Sequence, residues 1–155
     1  MISCIAAMTI NGCIGINGDL PFRVPADLKR FKELTTGHDV IMGRKTWDSL
    51  PKKPLPNRSN IVISRSMKSD ICEVVGNVNE ALDISTNPFI IGGEQIYNLL
   101  LPHCNKLYLT VVDTIVMGDA YFPDIDNKMW KLDSEEHDES NGYFLTYKNY
   151  TNILI

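Results

Sequence analysis

Asp27 stands in the segment Val24-Pro25-Ala26-Asp27-Leu28-Lys29-Arg30-Phe31, where an acid falls on the apolar stripe of a predicted helix. At about 100° per residue, Asp27, Phe31 and Leu34 share a narrow arc with Leu28 beside them, while Lys29, Lys32 and Glu33 point elsewhere. A carboxylate is costly to bury without a partner, so one placed there is suited to meet a cationic ligand or one rich in N–H donors. A purely structural account stays open. Pro25 suits the first helical position, and Asp27 would then be an ordinary first-turn acid stabilised by the helix dipole.

Three further groups could carry chemistry. Gly43-Arg44-Lys45-Thr46 follows the apolar run Val40-Ile41-Met42 and opens a helix. Two cations there oppose the dipole unless an anion sits between them and the backbone N–H groups. A bound phosphate fits, with Ser64 and Arg65 at the end of the next strand able to contribute; a solvated basic turn is the alternative. Ile90-Ile91-Gly92-Gly93-Glu94-Gln95-Ile96-Tyr97 repeats the strand, glycine, helix arrangement, and such glycines let a backbone approach a pyrophosphate. Tight strand-helix packing explains them equally well, and the full G-x-G-x-x-G spacing is missing. Arg58 follows a proline-stiffened stretch, Pro51 to Asn57, and Leu28, Phe31, Leu50 and Leu55 could form an apolar slot leading to it. A guanidinium there would hold a ligand carboxylate in a bidentate pair.

These groups must be positioned by alternating elements. Short apolar strands are predicted at Ile2 to Met8, Val40 to Met42, Ile61 to Ser64, Phe89 to Ile91, Leu107 to Val112 and Tyr143 to Tyr147. Helical patterns lie at Pro25 to Thr35, Thr46 to Leu50, Val78 to Ile84 and Glu94 to Leu101. The alternation predicts an α/β fold with a largely parallel sheet covered on both faces and an antiparallel ending. Its ligand crevice belongs beyond the carboxyl ends of the strands. Asn11 to Pro21, with three glycines and two asparagines, reads as a long irregular loop over a site.

The bulk numbers narrow the classes. The 155 residues are expected to form one domain, with 44% hydrophobic and 22% charged residues and no repeat or low-complexity tract. The N-terminal run lacks a basic flank and is too short to span a bilayer, so a cytoplasmic protein with no membrane anchor is expected. Cys4, Cys13, Cys72 and Cys104 and the three histidines lack metal-ligand spacing, so no metal is expected and the cysteines read as reduced core residues. From Arg23 to Lys68 there are eleven Lys and Arg against four Asp and Glu, in a chain of net charge -4. This basic middle suits a small anionic ligand better than nucleic acid, because the acidic remainder would repel a long polyanion. Hydrolase, nucleophile and P-loop signatures are absent. A reaction needing one carboxylate and a self-reactive cofactor remains.

The order of motifs resembles dihydrofolate reductase of the bacterial type over nearly the whole chain. The match rests on Met1-Ile2-Ser3 with Ile5-Ala6-Ala7, Ile14-Gly15, Pro21, Pro25-Ala26-Asp27-Leu28 with Phe31, Val40 to Arg44 with Thr46-Trp47, Leu55-Pro56 with Arg58, Ile91-Gly92-Gly93 with Tyr97, Lys106 to Thr110, and Gly118-Asp119 with Phe122-Pro123. The resemblance implies a three-layer fold: a mainly parallel eight-stranded sheet with an antiparallel C-terminal strand and four flanking helices. It implies NADPH-dependent reduction of 7,8-dihydrofolate to tetrahydrofolate, sensitivity to antifolates, and a monomer. By the same resemblance Asp27 is the pocket acid facing the pterin, supported by Thr110, with Ile5, Ala6 and Ile91 along the pterin edge. Leu28, Phe31, Leu50 and Leu55 match the p-aminobenzoyl slot and Arg58 the glutamate clamp. Ala7, Ile14, Gly15, Ile91 and Tyr97 match positions near the nicotinamide. Gly43, Thr46, Gly92, Gly93, Glu94, Gln95 and Ile96 match the phosphate turns, and Arg44, Lys45, Ser64 and Arg65 the adenosine end.

Three positions depart from the family's pattern. Phe22 replaces a usual Trp and offers no N–H to order water in the pocket. Leu20 replaces a lid-loop Met, a mild change. Glu94 replaces a frequent Gly and brings a negative charge near the phosphate turn, unless it simply stabilises its helix. Phe22 and Glu94 together leave room for a folate- or dinucleotide-binding protein without turnover. The acidic run Asp133 to Glu139 reads as a solvated strand and turn rather than a site.

Overall fold

The computed structural model describes residues 1–155. In chain order its first half contains β1 (Ser3–Thr9), β2 (Cys13–Gly15), α1 (Pro25–Thr35), β3 (Asp39–Gly43), α2 (Arg44–Ser49), β4 (Ser59–Ile63) and β5 (Glu73–Val75). The second half continues with α3 (Val78–Ile84), β6 (Phe89–Ile90), α4 (Glu94–Leu100), a 3-10 turn at Leu101–His103, β7 (Lys106–Val112), β8 (Ala120–Tyr121), β9 (Trp130–Ser140) and β10 (Tyr143–Asn152). Eight strands form one sheet in the order β5-β4-β3-β6-β1-β7-β10-β9, while β2 and β8 pair separately as a small ribbon. From β5 to β7 every pairing is parallel; β10 runs antiparallel to both β7 and β9.

Side-chain alternation decides what each face receives. In β3, Ile41 enters the core beneath α3 and α4, whereas Val40 and Met42 enter the core beneath α1 and α2; all three are fully buried. In β7, Leu107 and Leu109 take the first face. Tyr108 packs on the second, and Thr110 shares its parity and points toward α1. Each fully buried aliphatic side chain contributes roughly 1.5–3 kcal/mol, so a one-residue slip would invert both faces at a cost no single polar contact offsets. The register that fills the two cores therefore also delivers Thr110 to the first turn of α1.

Helix α1 starts without a side-chain cap at Val24, with Pro25 in its first turn. Its Phe31 and Leu34 pack on the sheet, and Thr35 is fully buried at its end. Helix α3 has a reciprocal cap: Asn77 accepts from the Glu80 N–H at 2.9 Å, and the Glu80 carboxylate accepts from the Gly76 N–H at 3.0 Å.

The structure revises several sequence-based expectations. Asn11 to Pro21 is not wholly irregular: β2 pairs with β8, and a tight turn closes from Ile16 to Asp19 over Asn17 and Gly18, both at positive φ. The partner of β2 is two residues long and a hundred residues away, so nothing local marks the strand. Helix α2 begins two residues earlier than expected, at Arg44, and leaves Leu50 just beyond it. Strand β5 is short and lies at a sheet edge. Asp133 to Glu139 is strand throughout, inside β9; the turn lies at Asn141-Gly142, with φ of 52° and 82°. The antiparallel ending thus has two strands, and its acidic member is the outer edge. All four cysteines are unpaired, as expected.

The segment before β4 is held by one buried side chain. Asn60 donates to the carbonyls of Leu55 and Arg58, both at 3.0 Å, and accepts from the Leu55 N–H at 2.9 Å. Substituting Asn60→Ala removes all three bonds and is expected to cost about 2–3 kcal/mol, read as a lower urea midpoint with an unchanged slope. A midpoint within error of the parent protein would show that the segment is held by its prolines instead.

Candidate active site

Two turns meet at the carboxyl ends of β3 and β6. The Gly43 N–H at the end of β3 donates to the Gly92 carbonyl at 2.8 Å, which brings the starts of α2 and α4 together. Gly92 and Gly93 are joined by a cis peptide bond, and Gly92 has φ +111°. A Cβ on Gly92 would lie 2.9 Å from the Tyr97 ring, and one on Gly93 would lie 3.4 Å from Thr46 Oγ1. Strand-helix packing therefore accounts for Gly92 by itself. Gly93 meets only the Thr46 hydroxyl, an approach that keeps the two helix starts close.

Asp27, at the beginning of α1, lines a cleft of about 280 Å³ with Leu20, Phe22, Val24 and Leu28. The Thr110 hydroxyl donates to Asp27 Oδ1 at 2.6 Å, and Thr110 is 1% exposed. Burial pushes the Asp27 carboxyl above its ordinary value, against the opposing pull of the Thr110 hydrogen bond and the Arg30 charge. The result is an acid held by one oxygen in a cleft whose wall is half apolar, with Asp19 and Arg23 also lining it, suited to exchanging or sharing a proton with a bound ring. Asp27 is a first-turn acid of α1 and also lines the cleft.

The neighbouring expected residues are brought together, with some differences. Phe22 is 7% exposed and packs with Val24, Val112, Leu145 and Tyr147, with Ala7 against the same cluster. Leu20 is 52% exposed on the cleft rim. Ile5 and Ile91 lie in the core beneath α1 and α2, where Phe31, Leu50 and Leu55 pack. Ala6 faces the opposite core, so only its backbone is on the site side. Leu28 sits at the cleft rather than in the core, 47% exposed.

Tyr97 does more than flank a ligand. Its hydroxyl donates to the Ile5 carbonyl at 2.8 Å, and burial raises its phenol well above the ordinary value, so it stays a donor. Arg58 is anchored from two sides, Nε donating to the Pro56 carbonyl at 2.8 Å and Nη1 to Thr35 Oγ1 at 3.1 Å. Its guanidinium lies 5.9 Å from the Phe31 ring centre, and partial burial lowers its pKa. A guanidinium remains charged through such a shift, and Nη2 is left for a ligand. Thr35 was not singled out in the sequence, although its hydroxyl also caps the Phe31 carbonyl at 2.7 Å.

At the far end of the crevice, Arg44 pairs with Asp48 at 3.6 Å and donates to Ser66 at 3.3 Å, while Lys45 and Arg65 are exposed. The Ser64 hydroxyl accepts from the Met67 N–H at 3.1 Å, so it shapes the turn that carries Arg65. An open groove of about 650 Å³ is lined by Ser64, Arg65, Lys68 and Ser69. Ile14 and Gly15 lie on the ribbon, where Gly15 accepts from the Asp119 N–H at 3.0 Å and the Asn17 N–H donates to Asp119 Oδ2 at 2.9 Å. The Glu94 carboxylate accepts from the Tyr121 N–H of β8, so its charge is engaged rather than free. Gln95 is exposed on α4, and Ile96 packs against Gly43.

The sequence reading missed a group behind Asp27. Arg30 donates to Thr110 Oγ1 at 3.5 Å and to Asn149 Oδ1 at 2.8 Å, and its guanidinium lies 4.5 Å above the Tyr147 ring. The Tyr147 hydroxyl donates to Asp138 at 3.1 Å, and burial together with Asp138 pushes the phenol up to about 12. The signal was present as an i, i+3 pair with Asp27 on one helix face.

The chain was compared with known families and structures. A family model described as dihydrofolate reductase matches residues 1–152. The dihydrofolate reductase of Bacillus subtilis is 45% identical over 159 residues, covering 96% of this chain and 94% of that protein. That of Neisseria gonorrhoeae is 43% identical, covering 96% of both. The solved dihydrofolate reductase of Enterococcus faecalis, complexed with NADP(H) and RAB-propyl, superposes with a TM-score of 0.90 at 33% identity, covering 99% of this chain and 96% of that one. The chain therefore belongs to the dihydrofolate reductase family.

Proposed function

We propose that this chain reduces 7,8-dihydrofolate to 5,6,7,8-tetrahydrofolate with NADPH, and that Asp27 is the acid that binds the pterin. The observation carrying the residue assignment is the Asp27 carboxyl, half-buried in the cleft wall and held on one oxygen by Thr110. Asp27 accepts hydrogen bonds from a pterin ring N–H and the 2-amino group, which favours protonation at N5. Ile5, Ala6 and Ile91 border the ring, and Leu28, Phe31, Leu50 and Leu55 pack the p-aminobenzoyl group. Arg58, pre-aimed by Pro56 and Thr35, pairs with the glutamate α-carboxylate. Leu20 and Phe22 exclude water from the cleft.

The residues present fit the cofactor. Gly93 leaves room beside Thr46, and Arg65 and Lys68 with Ser64 line a groove of about 650 Å³, while Arg44 and Lys45 open α2. In this reading Ala7, Ile14, Gly15 and Tyr97 border the nicotinamide, and Gly43, Thr46 and Gly92 to Ile96 form the phosphate turns. Three cations at the adenosine end favour NADPH over NADH. When bound, NADPH supplies the hydride that enters the pterin at C6 while N5 gains a proton. No helix is long and apolar enough to cross a membrane, and the reading includes a cytoplasmic monomer open to antifolates.

Loss of NADPH absorbance in the presence of dihydrofolate tests the activity. Asp27→Asn is expected to lower turnover by about 10²–10⁴-fold at neutral pH and by less in acid, where substrate arrives protonated. An undiminished rate would remove Asp27 from the reaction.

The same variant has a second expected effect. An acid raised above its ordinary value stabilises the fold fully when protonated, and that contribution is lost as pH rises through the raised value. At neutral pH the ionised Asp27 therefore costs stability, and Asp27→Asn should raise Tm by about 2–4 °C for each kcal/mol relieved. The gain should shrink toward acid pH; a lowered Tm would contradict it.

Arg58→Ala should raise KM for dihydrofolate by roughly 10–100-fold, the value of a charged hydrogen-bonded pair, and leave a pterin without glutamate unaffected. Equal losses for both substrates would place the clamp elsewhere.

A further inference from the structure

Arg30 is held from three sides behind the cleft, by Thr110, Asn149 and the Tyr147 ring. It forms no direct ion pair with Asp27; the Thr110 hydroxyl stands between them. Nη1 donates to Thr110 Oγ1 at 3.5 Å, and Thr110 donates to Asp27 Oδ1 at 2.6 Å, so the donors run in one direction from guanidinium to carboxyl. Such a chain polarises each bond toward the carboxylate form of its last member. Nη2 is fixed by Asn149 Oδ1 at 2.8 Å, and Asn149 in turn donates to Ser134 at 3.1 Å. The guanidinium rests 4.5 Å above the Tyr147 ring. Contacts from β7 and β10, with β9 behind them, hold it in one place. An arginine that merely covered a sheet would need only the ring beneath it.

We propose that Arg30 is a positioning residue for the reduction: acting through Thr110, it orients the Asp27 carboxyl and sets the pH range over which the site works. This rests on the reading of Asp27 as the pterin-binding acid. The groups around Arg30 leave its charge only partly compensated. On α1, Lys29 and Glu33 pair with each other at 4.0 Å on the exposed side. On β7 the neighbour is Thr110. On β10 they are Tyr147 and Asn149. On β9, Asp138 accepts from the Tyr147 hydroxyl, and Glu136 lies opposite Tyr147 without pairing to Arg30. On α4, the Tyr97 hydroxyl is spent on Ile5.

The sign of the effect does not depend on which atom carries the proton. A cation behind the carboxyl disfavours proton uptake both at Asp27 and at a pterin nitrogen bound to it, and such a coupled pair titrates as a unit. Replacing Arg30 by a neutral side chain should therefore move the governing ionisation upward.

The test is the pH dependence of kcat/KM for dihydrofolate with NADPH in the parent protein and in Arg30→Met, Arg30→Lys, Asn149→Ala and Asp27→Asn. Arg30→Met should shift the profile upward by about one pH unit. Arg30→Lys, which keeps the charge, should restore most of it. Asn149→Ala, which frees Nη2 and leaves Arg30 in place, should shift it the same way by less. A uniform loss of rate with the profile unmoved in Arg30→Met overturns the proposal. Should that variant fail to fold, an unmoved profile in Asn149→Ala overturns it equally. Asp27→Asn separates the two readings: full activity there would sink the assignment of Asp27, whereas its inactivation beside an unmoved Arg30→Met profile would sink only the role of Arg30.

Discussion

The site is arranged around one half-buried carboxyl that a single hydroxyl holds. The 2.6 Å bond from Thr110 to Asp27 joins a sheet strand to the first turn of a helix. It forms only if β7 is in register with β1, because Thr110 stands opposite Ala7 in that pairing. It also requires α1 to begin at Pro25, so that Asp27 falls in its first turn over the sheet. The apolar cores on the two faces enforce both conditions: Leu107 and Leu109 commit β7 to one orientation, and Phe31 and Leu34 commit α1 to one rotation. The polar bond contributes little beside those burials. Its geometry is inherited from them.

The basic end follows a different physical logic. Arg44, Lys45 and Arg65 are exposed, and each is worth little to the fold. What places them is the backbone: the contact between Gly43 and Gly92 sets α2 against α4, and Ser64 shapes the turn that carries Arg65. A rigid sheet thus holds a buried acid at one part of its crevice and loosely solvated cations at another. The first suits recognition of a ring by fixed hydrogen bonds, the second recognition of phosphates by charge.

Much of this was legible in the residues. Strongly periodic helices, α1 and α3, were placed to the residue, and the inner strands were found because runs such as Val40-Ile41-Met42 are apolar on both faces. The candidate residues that lie in such segments or beside conspicuous glycines, Asp27 and Gly92 among them, are the ones those segments bring to the strand ends. What escaped depends on contacts across long stretches of chain. The ribbon of β2 and β8 is two or three residues wide, and its strands carry no pattern of their own. Arg30 looked like one more surface cation because Asn149 and Tyr147, which fix it, are over a hundred residues away. Thr35 was overlooked for the same reason, since Arg58 reaches it only in the folded chain. Glu94 was read as a charge near phosphates; the Tyr121 N–H that engages it belongs to an element the sequence did not mark.

The outermost strand shows how the sheet comes to an end. Strand β9 leaves one row of backbone groups unpaired along eleven residues, and such a row is a template for another chain. Asp133, Glu135, Glu136, Asp138 and Glu139 lie along it, so a second copy laid edge to edge would bring two acidic rows together. That guard is electrostatic and therefore conditional. It fades as salt screens the two rows from each other. The colloidal behaviour of the protein is in this way written into the strand farthest from its chemistry.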